Sequence, residues 1–117
     1  MSVNVYDVAY DLEKSIRNSN EYQELQKWLQ AVNEDESAKK MFDNFREVQL
    51  KLQQQQMMGQ QIAQDEVEHA QKLFQVVQQH ATIAKLMDAE QRMSTLIAEL
   101  NQIIIKPLEE IYGAGQQ

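Results

Sequence analysis

One pair of residues in the sequence has the types and the spacing of a metal site. The stretch EVEH contains Glu66 and His69, and side chains three residues apart lie on the same face of a helix. Helical bundles that bind two iron ions use this Glu-x-x-His spacing twice, together with two further inward carboxylates. The second motif is missing here, because Val76 and Val77 occupy the equivalent positions before His80. The pair is therefore more typical of a solvated first turn of a helix than of a di-iron site.

Other arrangements that carry chemistry are also missing from the sequence. It contains no glycine-rich phosphate loop, no nucleophile elbow and no zinc-binding spacing. The chain has no cysteine, which excludes disulfides and thiolate-ligated metals or clusters. Glu90 falls at an apolar position of a predicted helix, but a lone carboxylate is more typical of an interface edge or of pairing with Arg92 or Arg46. We therefore predict a protein that is not an enzyme, with no catalytic, metal-binding or cofactor-binding residues.

The composition indicates a folded, all-α protein. Hydrophobic residues make up 43% of the 117 residues and charged residues 25%, as in ordinary globular domains. Only three glycines and one proline interrupt the chain, and strong helix formers fill most of the rest. We predict a single helical domain over residues 1–117, with a short hairpin at about 4–32 and a long helical region at about 34–112.

The charge of the chain limits the partners that it can bind. The net charge is −7 and the pI is about 4.7, whereas nucleic-acid binding relies on clustered Lys and Arg. The same acidity opposes an anionic membrane, and no apolar run approaches the roughly 20 residues of a spanning helix. The N-terminal stretch MSVNVYDVAYDLEKS lacks the apolar core of a signal peptide. We predict a cytoplasmic protein without direct nucleic-acid or membrane contacts.

Apolar residues recur at three- and four-residue steps and predict five helices. The first runs from about Asn4 to Asn18. Asn20, with Gln23 three residues later, has the pattern of a capping box that begins the second helix. These two helices form the predicted N-terminal hairpin.

The predicted third and fourth helices form a long antiparallel pair. Asn33 with Glu36 suggests the cap of the third helix, which is expected to end near Met58, before Gly59. Asp65 with Glu68 suggests the cap of the fourth. The stretch Leu50 to His80 between and along these helices holds eleven glutamines. We interpret them as the solvated polar face of the hairpin, with an oligomer or partner contact as the alternative and disorder as the least favoured one.

A change in the apolar pattern near His80 to Thr82 predicts either a fifth helix after a short corner or a kinked continuation of the fourth. We favour a corner at Ala81–Ile83. Pro107 removes a backbone N–H and crowds the preceding turn, so we expect a kink or a break near Ile105. Gly113 is suited to end the last turn.

Two quoted stretches carry a resemblance to a known family. VYDVAYDLEKSIRNSNEYQEL and DESAKKMFDNFREVQLKLQQQQMMG, followed by a long apolar helix, resemble the YlbF/YmcA family of small helical bacterial proteins, and most closely its YheA-like branch. The resemblance covers Val5 to about Tyr112. The positions that carry it are Tyr6, Asp7, Ala9, Leu12, Ser19, Glu21, Tyr22, Phe45 and Gln49.

This resemblance implies an all-helical, oligomer-forming protein of the cytoplasm. Family members act as regulatory adaptors in competence, sporulation and biofilm development and associate with an RNA-processing endoribonuclease. Some of them use cysteines to hold iron–sulfur clusters. That role cannot be transferred to a chain without cysteine.

Two functional hypotheses therefore remain open. The leading one is a non-enzymatic interaction or regulatory adaptor protein, with a possible protein partner in a regulatory complex. The alternative is a small-ligand or metal-binding bundle, possibly catalytic, centred on Glu66 and His69.

The fifth helix has a wide apolar stripe and is expected to be the most buried helix. This stripe predicts a homo-oligomer, most simply a dimer forming an intermolecular helical bundle. The predicted contact residues are Met93, Leu96, Ile97, Leu100 and Ile104, with Phe45 and Leu52 as the competing site.

Overall fold

The computed structural model of the protein describes residues 4–113. This part of the chain contains five α-helices and no β-strand, which confirms the all-α prediction. None of these helices is long and apolar enough to cross a membrane, as judged over the described residues. The helices are α1 (Val5–Arg17), α2 (Asn20–Glu34), α3 (Glu36–Met57), α4 (Gln64–Gln79) and α5 (Ala81–Ile111).

The helices are grouped into two compact units. The central unit is the continuous segment Gln26–Asp88, and the N/C unit contains residues 4–25 and 89–113 of the described chain. Both α2 and α5 contribute residues to each unit. The sequence-based division into segments of about 4–32 and 34–112 within one domain stays a prediction, because compactness does not show which parts fold independently.

The first two helices begin at hydroxyl and amide side chains. Asn4 caps α1, and its side chain accepts a backbone N–H at 2.9 Å. The predicted capping box of Asn20 and Gln23 is wrong by one residue. The Ser19 hydroxyl accepts the Tyr22 N–H at 3.1 Å, which makes Ser19 the cap of α2. Serine and asparagine are comparable as N-caps, so the sequence alone did not separate the two neighbours.

The start of α3 also differs from the prediction. The Asp35 carboxylate accepts the Ala38 N–H at 3.1 Å and caps the helix. The predicted cap, Asn33 with Glu36, is therefore wrong by two residues, and Asn33 lies inside α2. Because α2 reaches Glu34, a single residue separates it from α3.

The fourth helix begins without a side-chain cap. Ala63 occupies the N-cap position, so the predicted cap of Asp65 with Glu68 is wrong, and Asp65 lies in the first turn instead. An acidic residue in that turn still interacts favourably with the helix dipole. The predicted corner before the fifth helix is confirmed, but it lies at His80, one residue before the predicted Ala81–Ile83. His80 has extended backbone angles, φ −81° and ψ 114°, and α5 starts at Ala81.

Pro107 does not break α5, which continues to Ile111. Of the two outcomes expected near Ile105, the break is therefore wrong, and the kink stays a prediction. A proline removes the N–H that would bond to the carbonyl four residues earlier, at Ile103. The Ile103 residue is exposed, and the helix continues past the lost bond. Gly113 follows the last turn with φ +71°, as expected for a C-terminal glycine.

The buried core lies almost entirely in the central unit. Among the described residues of the N/C unit only Ala89 is buried, and no residue of α1 is. The expectation that α5 is the most buried helix holds for its first turns, since Ile83 and Leu86 have no exposed surface, and fails further along the helix. The buried side chains of the central unit are Val32, Ala38, Phe42, Phe45, Val77, Ile83 and Leu86.

The two corners of the central unit lie close together. His80, between α4 and α5, places its Nε2 atom 3.8 Å from an oxygen of Asp35, between α2 and α3. Trp28 is flanked by two ammonium groups, with Lys27 and Lys85 at 4.8 and 5.5 Å from its ring centre. These contacts link the start of α5 to α2 around the core.

Candidate interaction sites

The C-terminal half of α5 presents large apolar side chains that the chain itself does not cover. Positions at steps of three, four and seven lie on one side of a helix. Ile104 on that side is 59% exposed and Ile111 is 79% exposed, while Leu100 is partly buried. We call this surface the α5 face. It consists of Ile97, Leu100, Ile104, Leu108 and Ile111.

The predicted contact residues fall into three groups. Met93, Leu96 and Leu100 are partly buried, and Ile97 and Ile104 are exposed on the α5 face. Phe45 is buried in the central unit at 6% exposure, and Leu52 is partly buried on the same helix.

The predicted contact residues do not include two residues of the α5 face, Leu108 and Ile111. The apolar pattern placed Ile111 in the stripe of the fifth helix but not in the contact, and it placed Leu108 in neither.

The first helix adds further exposed apolar side chains to the N/C unit. Val5 and Tyr6 are exposed by 76% and 74%, and Val8 and Tyr10 are exposed as well. Val5 and Val8 belong to the three- and four-residue pattern that predicted α1. The described part of this unit therefore buries very few side chains and exposes a large apolar surface.

In the central unit, α3 and α4 form the predicted antiparallel pair. The Phe45 and Phe74 rings lie 5.9 Å apart near one end, and Lys51 Nζ lies 3.7 Å from Glu66 Oε2 near the turn. Gly59 sits in the connection with φ +71°, a conformation that glycine adopts without a steric penalty. The glutamine-rich stretch is thus a helical hairpin, as predicted.

An open groove of about 830 Å³ runs along this helix pair. Its lining combines apolar side chains with neutral amides, and Arg46 is the charged residue of the lining. The Arg46 guanidinium also lies 4.9 Å from the ring centre of Phe42. We call this site the α3–α4 groove. Its lining is Phe45, Arg46, Gln49, Leu52, Gln53, Gln56, Ile62, Val67, Ala70, Gln71, Phe74 and Gln75.

The glutamines are therefore not all equivalent. Gln54 is exposed, as expected for a solvated face, whereas Gln53 lines the groove. Gln55 was expected to be solvated and is not. It is partly buried, and its Oε1 atom is shielded from solvent without a hydrogen-bond partner. Apolar residues that recur with a seven-residue period identify the apolar side of α3. This period does not show how closely α4 approaches the glutamine side chains of α3.

Glu66 and His69 are the residues on which the metal-binding alternative was centred. Glu66 lies beside Lys51 at the turn of the hairpin, and His69 is exposed. Residues 4–113 contain no group of three or more His, Asp or Glu side chains that could hold a metal ion. Glu90 is partly buried and is not left without a partner. The described residues thus offer no support for a metal-binding bundle.

These features define a small all-helical protein whose distinctive parts are an apolar helix face and an open groove. The chain belongs to the YlbF/YmcA family. Residues 5–109 match the family model described as control of competence regulator ComK, YlbF/YmcA. The resemblance inferred from the two quoted stretches, including its YheA-like branch, is confirmed.

Relatives match the chain over nearly its whole length. It is 61% identical to UPF0342 protein YheA of Bacillus subtilis over 114 residues, covering 97% of both chains. It is 64% identical to a UPF0342 protein of Bacillus velezensis over 116 residues, covering 99% of this chain and all of that protein.

Two solved structures are also similar. A protein of unknown function from Bacillus stearothermophilus is 44% identical with a TM-score of 0.84, covering 93% of this chain and 96% of that one. The structure of yheA from Bacillus subtilis is 53% identical with a TM-score of 0.73, covering 94% of this chain and 100% of that one.

Proposed function

We propose that the protein is a non-enzymatic helical interaction protein that acts as a homo-oligomer, most simply a dimer, in a regulatory adaptor role. The family supports the regulatory part, since its model is described by the control of a competence regulator. The surfaces support the interaction part, because they are apolar and open.

One observation carries the oligomer proposal: the described N/C unit exposes most of its apolar side chains and buries only Ala89. Removing apolar surface from water is worth roughly 25 cal/mol per Å². A chain that leaves the α5 face exposed to water does not gain this stabilisation. Exposed apolar patches on folded proteins mark contact surfaces, and a symmetric dimer is the commonest way to cover one.

The proposed contact is centred on the predicted residues of α5 and reaches further along the helix. Leu108 and Ile111 extend the predicted set in the same direction as Ile104. The competing site at Phe45 and Leu52 is less suitable as a flat contact, because Phe45 is already packed against Phe74.

We further propose that the protein acts in the cytoplasm and that any additional partner is a protein. The net charge of −7 favours neither RNA nor an anionic membrane as a direct ligand. An adaptor that recruits a partner through apolar helix faces keeps its binding at raised salt, since screening affects exposed charges much more than buried apolar area.

Static light scattering of the purified protein tests the self-association. Over roughly a hundredfold dilution, the mass should stay at or above that of a dimer and fall only at the lowest concentrations, as mass action requires. A folded monomer at every concentration, including the micromolar range, would show that the chain covers its own apolar surface and would overturn the proposal. Circular dichroism at the same concentrations establishes that the monomer, if found, is folded.

A further inference from the structure

Two methionines at the tip of the α3–α4 hairpin are the most exposed large apolar side chains among the described residues of the central unit. Met57 ends α3 and is 83% exposed, and Met58 occupies the C-cap position and is 73% exposed. Apart from its chain neighbours, no atom lies within 4 Å of the position that a Cβ atom would take at Gly59. Both methionine side chains therefore lie open to solvent. We call them the tip pair.

The other methionines of the described chain are covered to a greater extent. Met41, Met87 and Met93 are all partly buried. An oxidant must reach the sulfur atom, so the susceptibility of a methionine follows its exposure. The structure thus separates an exposed pair from three methionines that the fold shields.

The thioether is the only sulfur group that this chain contains, because the sequence has no cysteine. In most proteins an accessible thiolate is the group that peroxides oxidise first, and that competitor is missing here. Two-electron oxidants of the peroxide class are therefore expected to react with the exposed thioethers.

The reaction converts a thioether to a sulfoxide. A lone pair of the sulfur attacks one oxygen of hydrogen peroxide, the O–O bond breaks and an S–O bond forms. Proton transfer releases the second oxygen as water. The sulfur loses two electrons and the peroxide gains them. A flexible apolar side chain becomes a polar one.

The backbone at the tip does not depend on the side chains that would be oxidised. The Met58 N–H donates to the Gln54 carbonyl at 3.1 Å, and the Gln60 N–H donates to the Gln55 carbonyl at 2.9 Å. These bonds join main-chain atoms, so an oxygen added to sulfur does not remove them. Residues 52–64 also carry no charged side chain, so the new dipole disrupts no ion pair within this stretch.

We propose that Met57 and Met58 form a peroxide oxidation site, and that their oxidation makes the apolar hairpin tip polar without unfolding the helices. The proposal is independent of self-association, because neither residue belongs to the α5 face or lines the α3–α4 groove. A chain without cysteine has no thiol with which to reduce the sulfoxides. Their reversal therefore requires an external methionine sulfoxide reductase.

Peroxide titration of the full natural chain tests the proposal, with tryptic digestion and mass spectrometry after quenching. Cleavage after Lys51 and Lys72 releases residues 52–72, which contain the tip pair and no other methionine. The three partly buried methionines fall into three other peptides. Peptide 52–72 should gain first one and then two oxygen atoms, at least about fivefold faster than any of the other three gains one. Comparable rates in the four peptides would overturn the proposal.

The same titration in concentrated urea is the control for exposure. Unfolding removes the differences in burial, so the four peptides should then react at similar rates per methionine. If peptide 52–72 kept the same advantage in urea, the local sequence and not the fold would set its rate. That result would overturn the structural basis of the proposal.

A pair of leucine substitutions separates the tip from the rest of the chain. Leucine has nearly the volume of methionine and is tolerated in its place, but it has no sulfur. The variant with Met57→Leu and Met58→Leu should lose the two early oxygen additions in the mass spectrum of the intact protein. Met87→Leu, the matched control, should keep both. Early additions to the double variant at the parent rate would overturn the assignment.

The oxidised protein tests the second half of the proposal. With both tip residues oxidised, the far-ultraviolet circular dichroism and the urea midpoint should equal those of the untreated protein. Sulfoxide reductases of both stereochemical classes, supplied with dithiothreitol, should remove both oxygen atoms. A loss of helix on oxidation, or sulfoxides that resist both reductases in the folded protein, would show that the tip is not an independent, accessible surface.

Discussion

The central unit and the N/C unit are built from the same kind of helix, yet they use their apolar residues differently. Side chains at helical spacing in the central unit, such as Val77 and Leu86, are fully buried. Equally spaced side chains in the N/C unit, such as Val5 and Ile104, are mostly exposed. The spacing of apolar residues thus defines an apolar helix face, but it does not determine whether the chain itself or another chain covers that face.

This difference suggests a division of roles. The central unit has a core, a hairpin and two linked corners within one continuous segment. The N/C unit has little core of its own and, under the proposed function, gains its stability from association. The following variants are chosen to test this contrast, from the largest expected effect to the smallest.

The largest loss of stability is expected for Leu86→Ala in the central unit. Leu86 is completely buried, and truncating such a leucine costs about 3–5 kcal/mol through lost burial and the cavity that remains. The loss should be the same at low and high protein concentration. Urea unfolding followed by circular dichroism at two concentrations measures it.

The matched variant in the N/C unit is Leu108→Ala, at a side chain that is 57% exposed in its own chain. Its loss of stability should grow as the protein concentration rises, because it weakens association more than folding. A loss from Leu108→Ala that is independent of concentration would contradict the contrast between the two units.

Leu100→Glu is expected to dissociate the oligomer. Burying an unpaired carboxylate in an apolar contact costs about 2 kcal/mol or more per chain, so light scattering should give the mass of a monomer. The comparison is Gln54→Glu, an exposed position of the central unit, which should keep the mass of the parent. Hydrogen exchange of the dissociated variant should show fast amides in α1 and slow amides around Ile83.

An oligomer of unchanged mass in the Leu100→Glu variant would place the contact elsewhere. Slow exchange throughout α1 in a monomeric variant would show that the N/C unit folds without a partner.

Much of this architecture follows from sequence, and the misses have physical causes. The five helices, the hairpin at Gly59 and the corner near Ala81 follow from the spacing of apolar residues and from the small number of glycines and prolines. Neighbouring caps such as Ser19 and Asn20 have nearly equal propensity, so the helix start is decided by packing.

The surfaces were harder to predict than the helices. The groove was missed because it depends on the distance between two helices, and spacing along one helix carries no information about that distance. The far end of the α5 face was not assigned to the contact, although Ile111 continues the apolar stripe past Pro107.

A smaller effect is expected at Gln55, whose Oε1 atom is shielded and unpaired. Gln55→Glu places charge at that atom and should lower the free energy of unfolding by about 1–3 kcal/mol. Gln54→Glu, one residue away and exposed, should change it by less than about 0.5 kcal/mol. Chemical unfolding of the two variants at one protein concentration measures both changes. Equal free energies of unfolding would show that the side chain at position 55 can rotate into the solvent.

The smallest effects are expected at the helix caps. Asp35→Ala removes the bond to the Ala38 N–H in the central unit, and Ser19→Ala removes the bond to the Tyr22 N–H in the N/C unit. Each should cost about 1 kcal/mol. Thermal unfolding measures both, and replacement by Asn should recover most of the loss at either site. Failure of Asn to recover it would assign the effect to another contact, such as that of Asp35 with His80.

The way in which the N/C unit draws on both ends of the chain has a consequence during synthesis. A ribosome has synthesised every residue of the central unit when it reaches Asp88, whereas the N/C unit that contains α1 also includes the residues from Ala89 onward, which are added later. At 5–20 residues per second, the 25 residues 89–113 take on the order of 1–5 s. Throughout this time, Val5, Tyr6 and Val8 stand exposed on a nascent helix, where chaperones and neighbouring nascent copies meet them before their own unit exists.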